Sequence, residues 1–402
     1  MKLKLYGIIV FVMVACERPK TPISIGDITE PIFNNANLYF DINLKKQAFK
    51  SDDKGILRLD AGRVLLKKVK LPNYELQPKV RVNVELTSNG DPWDKSGSLF
   101  VIPSTADLNM LSFRNEVFLK EQLKDSFPGI ISKTIKDSTY MPNVELLRFM
   151  TPFGVGHFSK DERVKERKPP YIPYWENEVG WSQDITHLLP FLEGEVYIGV
   201  YIDTWTKAGY NISVSIDFEE SDIPNHVKKQ QTVLPIVNTV KYDAEQVNYD
   251  GFSKEDIVIK VPEGHTYKNA KLYYITTGHG GHAKGDEFVK KENVISLDDS
   301  VIKRFIPWRD DCASFRRFNP TSGTWVAKDF MEDENSNDHI ASSDLSRSNW
   351  CPGSDVAPEV ISLKHLDNQS HAFKFSIPEA QEANENEHNY WMVSAYIIYD
   401  NE

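Results

Sequence analysis

Apolar and polar side chains alternate with a period of two along much of the chain, and this constrains its fold more than any other feature. Six segments either alternate in this way or are continuous runs of β-branched and aromatic residues: VRVNVELTS (80–88), EVYIGVYIDTW (195–205), NISVSIDFEE (211–220), DIVIKVP (256–262), AKLYYITT (270–277) and YWMVSAYIIYD (390–400). These segments are rich in β-branched and aromatic residues and are bounded by Gly, Pro, Asn or Asp, which is typical of antiparallel strands in sandwiches. One short helix is predicted, over residues 114–126. The sequence therefore predicts an all-β fold.

The chain of 402 residues is too long for one hydrophobic core and suits two domains. The polar run SDIPNHVKKQQ (221–231) lacks a buried pattern, and we interpret it as a linker. It separates an N-terminal domain at 25–222 from a C-terminal domain at 232–402. Two insertions are expected in the first domain, near 104–140 and 157–180. The second insertion is charged and proline-rich, and long loops of this kind are often functional.

The N-terminus, MKLKLYGIIVFVMVACERPK, is typical of an export signal, because two lysines precede an apolar run too short to span a membrane. Its ending, V-M-V-A-C, resembles a bacterial lipoprotein box. We expect residues 1–15 to be a lipoprotein signal peptide, Cys16 to be acylated, and residues 16–24 to form a tether. The protein would then be exported and lipid-anchored, facing the periplasm or the cell surface, with no other membrane attachment. A plain signal peptide that contains a cysteine is the alternative.

Charge and cysteine content limit the partners. A net charge of −11 without a basic block argues against nucleic acid, because nothing would neutralise the phosphates. With Cys16 assigned to lipid, Cys312 and Cys351 remain, and an exported protein is expected to pair them. Two buried free thiols are the alternative. We expect a monomer.

The stretch TTGHGGHAKGDEF (276–288) is rich in histidine, glycine and acids. It lacks the spacing of a phosphate-binding loop, and the DEFVKKENVISL that begins at its end is typical of a strand, not of an anion-binding helix. His279 and His282 have no third ligand at a recognisable spacing, so no metal site is predicted. The glycines permit sharp backbone geometry after a strand ending at Thr277, so the loop can place Asp286 and Glu287 at the mouth of a sheet. An exposed acidic loop without a function is the alternative, and on residue chemistry alone it is the commoner outcome.

Five motifs in one order give a further indication: PWD (92–94), LRFMTPFGVG (147–156), DITHLLPFLEGEVYIGVYIDTWTKAGYNISVSIDF (184–218), GHAKGDEF (281–288) and SRSNWCPG (346–353). Together they resemble the peptide-N-glycosidase F family, over most of the mature chain. The resemblance implies two adjacent antiparallel eight-stranded jelly-roll domains with the active site at their interface. It also implies hydrolysis of the amide bond between asparagine and the first N-acetylglucosamine of N-glycoproteins or glycopeptides, without a cofactor.

The resemblance assigns residues as well. It implies catalytic roles for Asp94 and Glu287. It implies substrate-binding roles for Trp93, Asp203, Trp205, His282 and Arg347, and it retains the cysteine pair Cys312 and Cys351. Amide hydrolysis suits these residue types, because one carboxylate must activate or orient water while a second group polarises the carbonyl or protonates the nitrogen. Two converging acids also raise each other's proton affinity. We assign Asp94 to the scissile amide and Glu287 to water or sugar, with exchanged roles as the alternative.

The chain departs from the best-known family member at several positions. The cysteine pairs flanking the two acids are absent, Asp203 stands where that member has glutamate, and Gly280 replaces a tryptophan. A shorter acid and a missing indole predict a wider cleft, open to a core modification such as fucose on the first sugar. Two other functions remain open: a non-catalytic glycan-binding lipoprotein on this fold, and a copper-dependent oxygenase on a similar double jelly roll. The oxygenase would need histidine clusters in both domains, and the first offers only scattered ones such as His157 and His187.

Overall fold

A computed structural model describes most of the chain: residues 23–46, 50–115, 129–135, 137–154, 174–221, 229–242, 251–263, 266–280, 285–320, 324–326, 339–364, 366–383 and 388–401. Cys16, His282 and residues 116–126 of the predicted helix lie outside these ranges. Within them, no helix has the length and apolar character needed to cross a membrane.

The N-terminal half forms a β-sandwich. Its strands are β1 (Ile28–Leu38), β2 (Ile56–Leu59), β3 (Val64–Leu71), β4 (Lys79–Ser88), β5 (Ser96–Ile102), β6 (Lys133–Ile135), β7 (Ser138–Tyr140), β8 (Val144–Met150), β9 (Glu178–Asp184), β10 (Gly194–Ile202) and β11 (Tyr210–Glu219). One helix, α1 (Met110–Asn115), and 3-10 turns at Ile42–Lys46, Asp60–Gly62 and Thr186–Phe191 accompany them. One sheet has the order β1-β11-β4-β9, and the facing sheet contains β8-β5-β10-β3-β2, all antiparallel.

The C-terminal half forms a second sandwich. Its strands are β12 (Gln231–Asn238), β13 (Ile257–Val261), β14 (Lys268–His279), β15 (Asn293–Leu297), β16 (Ser300–Phe305), β17 (Thr324–Val326), β18 (His339–Ala341), β19 (Asp355–Val356), β20 (Glu359–Ser362), β21 (His371–Ser376) and β22 (Tyr390–Asp400). The sheets have the orders β12-β22-β14-β20 and β13-β21-β15-β16. Short 3-10 turns lie at Gly251–Ser253, Cys312–Phe318 and Ser342–Asp344.

The pattern of burial along each strand follows from its place in the sandwich. In β11, every second residue is buried, because one face packs on the core and the other faces solvent. In β5 and β8 every residue is buried. Leu99 packs in the core of the first sandwich, whereas its neighbour Phe100 packs against Met392 from the C-terminal half. The larger sheet of the first sandwich is therefore covered on both faces.

Buried contacts fix one sandwich against the other. Strand β19 of the C-terminal half pairs with β8 and extends the larger sheet of the first sandwich. Beside it, the fully buried Arg148 pairs with Glu145 at 2.6 Å and donates hydrogen bonds to the carbonyl of Met392 at 2.5 Å and the hydroxyl of Thr277 at 3.2 Å. Removing one partner of such a buried pair costs about 3–5 kcal/mol. These contacts hold the two sandwiches in one relative position.

The structure confirms the all-β, two-sandwich prediction, and each of the six predicted strands is present, as β4, β10, β11, β13, β14 and β22. The count of eight strands per domain and the domain limits stay predictions. The strands differ from the expected boundaries at three points. Residues 285–292 form turns before β15 rather than strand, β9 already begins inside the second predicted insertion, and β12 begins at Gln231, the last residue of the predicted linker. The described helix, α1, begins four residues before the predicted one.

Candidate active site

A guanidinium group lies between two carboxylates from different sandwiches. Arg347 Nη1 donates to Asp94 Oδ2 at 2.9 Å and forms a second, very short contact with Glu287 Oε1. The Arg347 side chain is 3 % exposed, and each acid is 15 % exposed. Its guanidinium carbon Cζ lies 4.5 Å from the ring centroid of buried Trp350, and its other terminal nitrogen donates to the carbonyl of Ser342 at 2.6 Å. Arg347 therefore has one position, and it fixes both acids at the interface.

Local backbone contacts place Glu287 and Arg347 side by side. Arg347 exchanges two backbone hydrogen bonds with Arg309, at 2.8 and 2.9 Å. The next residue, Ser348, donates its N–H to the Glu287 carbonyl at 2.9 Å, and Gly278 donates to the Ser348 carbonyl at 3.2 Å. The segment carrying Arg347 is thus hydrogen-bonded both to the end of β14 and to the turn carrying Glu287.

Gly280 shapes the turn that carries Glu287. Its φ of 80° lies in the left-handed region, and a Cβ atom there would meet the carbonyl oxygen of His388 at 1.7 Å. The N–H of Gly280 donates to Glu287 Oε2 at 3.3 Å, and the N–H of Glu287 donates to the Gly280 carbonyl at 3.2 Å. Only glycine fits this backbone, so the absence of a tryptophan at this position follows from the conformation of the turn.

The disulfide expected from the sequence is present and lies beside the Arg347 segment. Cys312 and Cys351 are joined with an S–S distance of 1.99 Å, and both are fully buried. Cys351 follows Trp350, whose indole N–H donates to the Gly278 carbonyl at 2.8 Å. The disulfide therefore anchors the segment that presents Arg347 and its supporting indole.

Burial changes the proton affinity of both acids. Removal from water raises the pKa of Asp94 above its usual range, and the charge of Arg347 opposes this. Burial likewise raises the pKa of Glu287, to about 7, with Arg347 lowering it and the negative charge of Asp94 raising it. Two carboxyls of raised pKa that share one cation in a cleft are typical of acid–base sites. Near neutral pH, Glu287 is present in both protonation states.

A second arginine forms a similar cluster on the first sandwich. Arg63 donates to Asp203 at 2.9 Å and pairs with buried Asp60 at 2.5 Å. Its guanidinium lies 4.3 Å from the ring centroid of Trp205, which is 57 % exposed and in contact with Phe40 at 5.2 Å. Burial raises the pKa of Asp203, and Arg63 opposes this. An exposed indole beside a carboxylate offers an apolar face and an acceptor to a sugar ring.

The remaining predicted residues have different outcomes. Trp93 is 53 % exposed and packs edge-on against Phe153 at 5.6 Å, so its indole is available to a ligand. Asp286 does not lie at the mouth of the sheet, which corrects the prediction. It is fully buried and forms an ion pair with Lys291, because the turn directs alternate side chains inward and outward. His282 lies outside the described residues.

The described ranges contain no group of three or more His, Cys, Asp or Glu side chains placed to hold a metal ion. His279, the histidine of the glycine-rich stretch that is described, is buried and stacks on Trp350 at 5.4 Å, and burial lowers its pKa to about 3. This residue is a neutral packing partner of the indole beneath Arg347.

Sequence reasoning missed Arg63 and Asp60. These two residues lie three positions apart, at the two ends of a tight turn. In this turn Asp60, Ala61 and Gly62 all have positive φ values, of 45°, 57° and 97°. Non-glycine residues adopt this conformation only when their surroundings enforce it. The sequence LDAGRV offers a glycine and an acid as turn signals, but nothing in it shows that the arginine returns to Asp203, which lies 140 residues further on.

Comparisons with known proteins give the same family for both halves of the chain. Residues 29–218 match the family model "Peptide-N-glycosidase F, N terminal", and residues 248–398 match "Peptide-N-glycosidase F, C terminal". The structure of PNGF-II in the C2 space group is 34 % identical, with a TM-score of 0.77 over 94 % of this chain. The alignment covers 65 % of PNGF-II, so the chain spans slightly less than two thirds of that protein.

Two more distant structures share the fold. PNGase F from Flavobacterium meningosepticum, described as a glycosylasparaginase, is 14 % identical, with a TM-score of 0.56 over 93 % of this chain and 96 % of its own. A peptide-N(4)-(N-acetyl-β-D-glucosaminyl) asparagine amidase is 15 % identical, with a TM-score of 0.58 over the same shares of both chains. No curated protein matches the sequence.

Proposed function

Because the chain belongs to the peptide-N-glycosidase F family, we propose that it hydrolyses the amide bond between an asparagine side chain and the first N-acetylglucosamine of an N-glycan. The observation that carries this proposal is the pair Asp94 and Glu287, one from each sandwich, held on a single arginine at the interface. The substrates would be N-glycoproteins or glycopeptides. The products would be an aspartate in the peptide and a glycosylamine.

The chemistry of the site suits this reaction. Water adds to the amide carbonyl, the carbon–nitrogen bond breaks, and the departing nitrogen takes a proton. In our proposal Asp94 acts at the scissile amide and Glu287 orients water or the first sugar. A carboxyl group whose pKa lies near 7 can accept a proton in one step and return it in another, which is the requirement for acid–base catalysis at neutral pH.

The second arginine cluster supports a glycan substrate. Asp203 and the exposed face of Trp205 lie on the first sandwich, the sandwich that also carries Asp94. We propose that Asp203 accepts hydrogen bonds from the core sugars, that Trp205 packs against a pyranose ring, and that Trp93 contacts the substrate beside Asp94. Arg347 would hold both acids and neutralise charge that develops on the amide oxygen.

The test is incubation with a denatured N-glycoprotein, with mass spectrometry of both glycan and peptide. We expect released glycan and conversion of the glycosylated asparagine to aspartate, with oxygen from the solvent when the reaction is run in heavy-oxygen water. Asp94→Asn and Glu287→Gln should each lower the rate by at least about a hundredfold. Asp298→Asn, which alters an exposed acid of the second sandwich, is the control and should keep the parental rate.

Two results would contradict the proposal. If the parent protein binds N-glycans but releases none, the chain is a glycan-binding protein on an enzyme fold. If either acid variant keeps its rate, the assignment of that residue is wrong.

We also propose that the protein is exported and anchored through an acylated Cys16, on the basis of the V-M-V-A-C motif. An acyl chain contributes roughly 0.8 kcal/mol per buried methylene, so multiple acylation would anchor the protein firmly. Incorporation of a fatty-acid label and partition into a detergent phase should both be lost in Cys16→Ser. A cell-associated protein without the label would refute the anchor.

A further inference from the structure

A third buried acid of the cleft region has no assigned role. Asp91 lies three residues before Asp94, in the loop between β4 and β5, and is completely buried. Its Oδ1 accepts a hydrogen bond from the N–H of Trp93 at 3.1 Å, and its Oδ2 accepts one from the hydroxyl of Thr204 at 2.5 Å. The two donors belong to the two segments that present the acids of the first sandwich.

The first segment is held on both sides of Asp94. The carbonyl of Trp93 accepts hydrogen bonds from the hydroxyls of Tyr210 at 2.7 Å and Thr151 at 3.1 Å. On the other side, the N–H of Lys95 donates to the Thr151 hydroxyl at 2.7 Å. With Asp91 holding the N–H of Trp93, the backbone that flanks Asp94 is bonded at three points: the N–H and the carbonyl of Trp93 and the N–H of Lys95.

The second segment is Asp203-Thr204-Trp205. Thr204 is fully buried between two residues that face the cleft. Its hydroxyl also accepts a hydrogen bond from the N–H of Thr206 at 3.3 Å, so its own proton is directed to Asp91. The Thr204 hydroxyl therefore connects the second cluster to the Asp94 loop through a side chain, in addition to the backbone hydrogen bond from the Asp203 N–H to the Ser96 carbonyl at 3.0 Å.

The burial of the Asp91 side chain without a basic partner needs a physical reason. No Lys, Arg or His side chain in the described ranges forms an ion pair with Asp91. Burying an unpaired carboxylate is costly, and a neutral side chain could fill the same volume. A carboxylate differs from neutral residues in accepting two charge-assisted hydrogen bonds from separate donors, which gives both donors a defined place.

We propose that Asp91 is a positioning residue that couples the place of Asp94 to that of Asp203 and Trp205. The bond to be hydrolysed and the sugars beside it are parts of one substrate, so the acid at the amide and the wall that binds the glycan must keep a fixed separation. A displacement of about 1 Å at such a site can cost a hundredfold in rate. The kinetic consequences rest on the proposed function, whereas the coupling of the two loops does not.

The kinetic test uses Thr204→Val, Asp91→Ala and Asp91→Asn with an N-glycopeptide substrate. Thr204→Val removes only the bond from the sugar-binding segment to Asp91, so KM should rise about tenfold while kcat stays within about twofold. Asp91→Ala removes the bonds to both segments and should also lower kcat by about a hundredfold. Asp91→Asn should recover part of the loss, because the amide oxygen can still accept the Trp93 N–H. Adding Thr204→Val to Asp91→Ala should not raise KM further.

The control is Asp52→Ala. Asp52 accepts backbone N–H groups from Lys54 and Ile56, both at 2.9 Å, in a turn at the opposite end of β2 from Asp60. It should leave kcat and KM unchanged. If the Asp91 variants behave like this control, with unchanged kinetics in the folded protein, Asp91 only stabilises a turn and the proposal fails.

A second readout is independent of activity. The negative charge of Asp94 contributes to the raised pKa of Glu287. If Asp91 positions Asp94, the pKa of Glu287 measured by NMR should fall in Asp91→Ala and, less, in Asp91→Asn, but not in Thr204→Val. An unchanged Glu287 pKa in both Asp91 variants overturns the proposal. Should Asp91→Ala not fold, Asp91→Asn and Thr204→Val decide it. A parent protein that cleaves no N-glycopeptide refutes the proposed function alone, since the Glu287 titration still tests Asp91.

Discussion

The two arginine clusters are built from the same parts and differ in what they leave exposed. Arg347 and Arg63 each lie between two carboxylates and against an indole ring. Around Arg347 the indole is buried and both acids reach the cleft. Around Arg63 the indole is 57 % exposed, one acid is buried, and only Asp203 reaches solvent.

The difference suits the two clusters to the two parts of the proposed function. In the first cluster the carboxylates come from different sandwiches, and burial together with the nearby charge of Asp94 raises the pKa of Glu287, as the proposed proton transfer requires. In the second cluster both acids come from one sandwich, and buried Asp60 is a counter-charge that holds Arg63 under the Trp205 ring. The first is suited to chemistry, and the second is suited to binding.

The contrast between the two clusters would be wrong if replacing either arginine had the same effect on kcat and KM. Lysine keeps the charge but cannot form the same planar, multi-point contacts. We expect Arg347→Lys to lower kcat by about a hundredfold or more, because both acids lose their common partner. Arg63→Lys should instead raise KM about tenfold, with kcat within a few-fold. Steady-state kinetics on an N-glycopeptide measure both.

Arg304→Lys is the matched control for these substitutions. Arg304 forms an exposed ion pair with Glu292 on the second sandwich, and exposed pairs contribute little. Its kinetics should remain parental. Equal losses of kcat in Arg347→Lys and Arg63→Lys would show that the clusters act as one unit.

A smaller effect is expected in the free energy of unfolding when Glu287 is replaced by glutamine. The pKa of Glu287 is raised from 4.5 to about 7 in the folded protein, so the fold binds this proton more tightly than the unfolded chain does. Stability therefore falls as the pH rises from 4.5 to 7, and the full penalty applies above pH 7. A shift of this size is worth on the order of 3 kcal/mol. Glu287→Gln should be more stable than the parent by roughly 1–3 kcal/mol at alkaline pH.

Urea unfolding at acidic and alkaline pH measures this difference. The advantage of Glu287→Gln should vanish below the unfolded-state pKa of glutamate. Asp203→Asn should gain less than Glu287→Gln, because Asp203 is more exposed and pairs with an arginine of its own. A stability difference for Glu287→Gln that does not depend on pH would contradict the raised pKa.

Much of the fold could be predicted because alternation reports strands that have one face in solvent. It identified β4 and β11, whose buried residues alternate. It did not single out β5 and β8, because contact with the second sandwich buries both of their faces and removes the alternation. The position of one sandwich on the other depends on buried pairs such as Arg148 with Glu145, which no periodicity shows.

The candidate site, like the fold, could be predicted only in part from the sequence. Motifs indicated Asp94, Glu287 and Arg347, and the structure brings these three together. The prediction that Asp286 lies at the mouth of the sheet was wrong, since a loop sequence does not show which of two adjacent acids turns inward. Arg63 was missed because its role arises from a strained turn and a partner far along the chain.

The smallest expected effect concerns the shape of the binding cluster. Asp203→Glu restores the glutamate of the best-known family member and extends the carboxylate by one methylene into the cleft beside Trp205. Since Arg63 already holds the Asp203 carboxylate at 2.9 Å, the longer side chain must project further towards the sugar. We expect kcat/KM for glycopeptides with a core fucose to fall about threefold to tenfold relative to matched glycopeptides without it.

The missing indole cannot be restored in the same way, because Gly280→Trp would place its Cβ against the His388 carbonyl. Competition between the paired glycopeptides in one reaction measures the ratio directly. An unchanged ratio would mean that the shorter acid at position 203 does not set the width of the cleft.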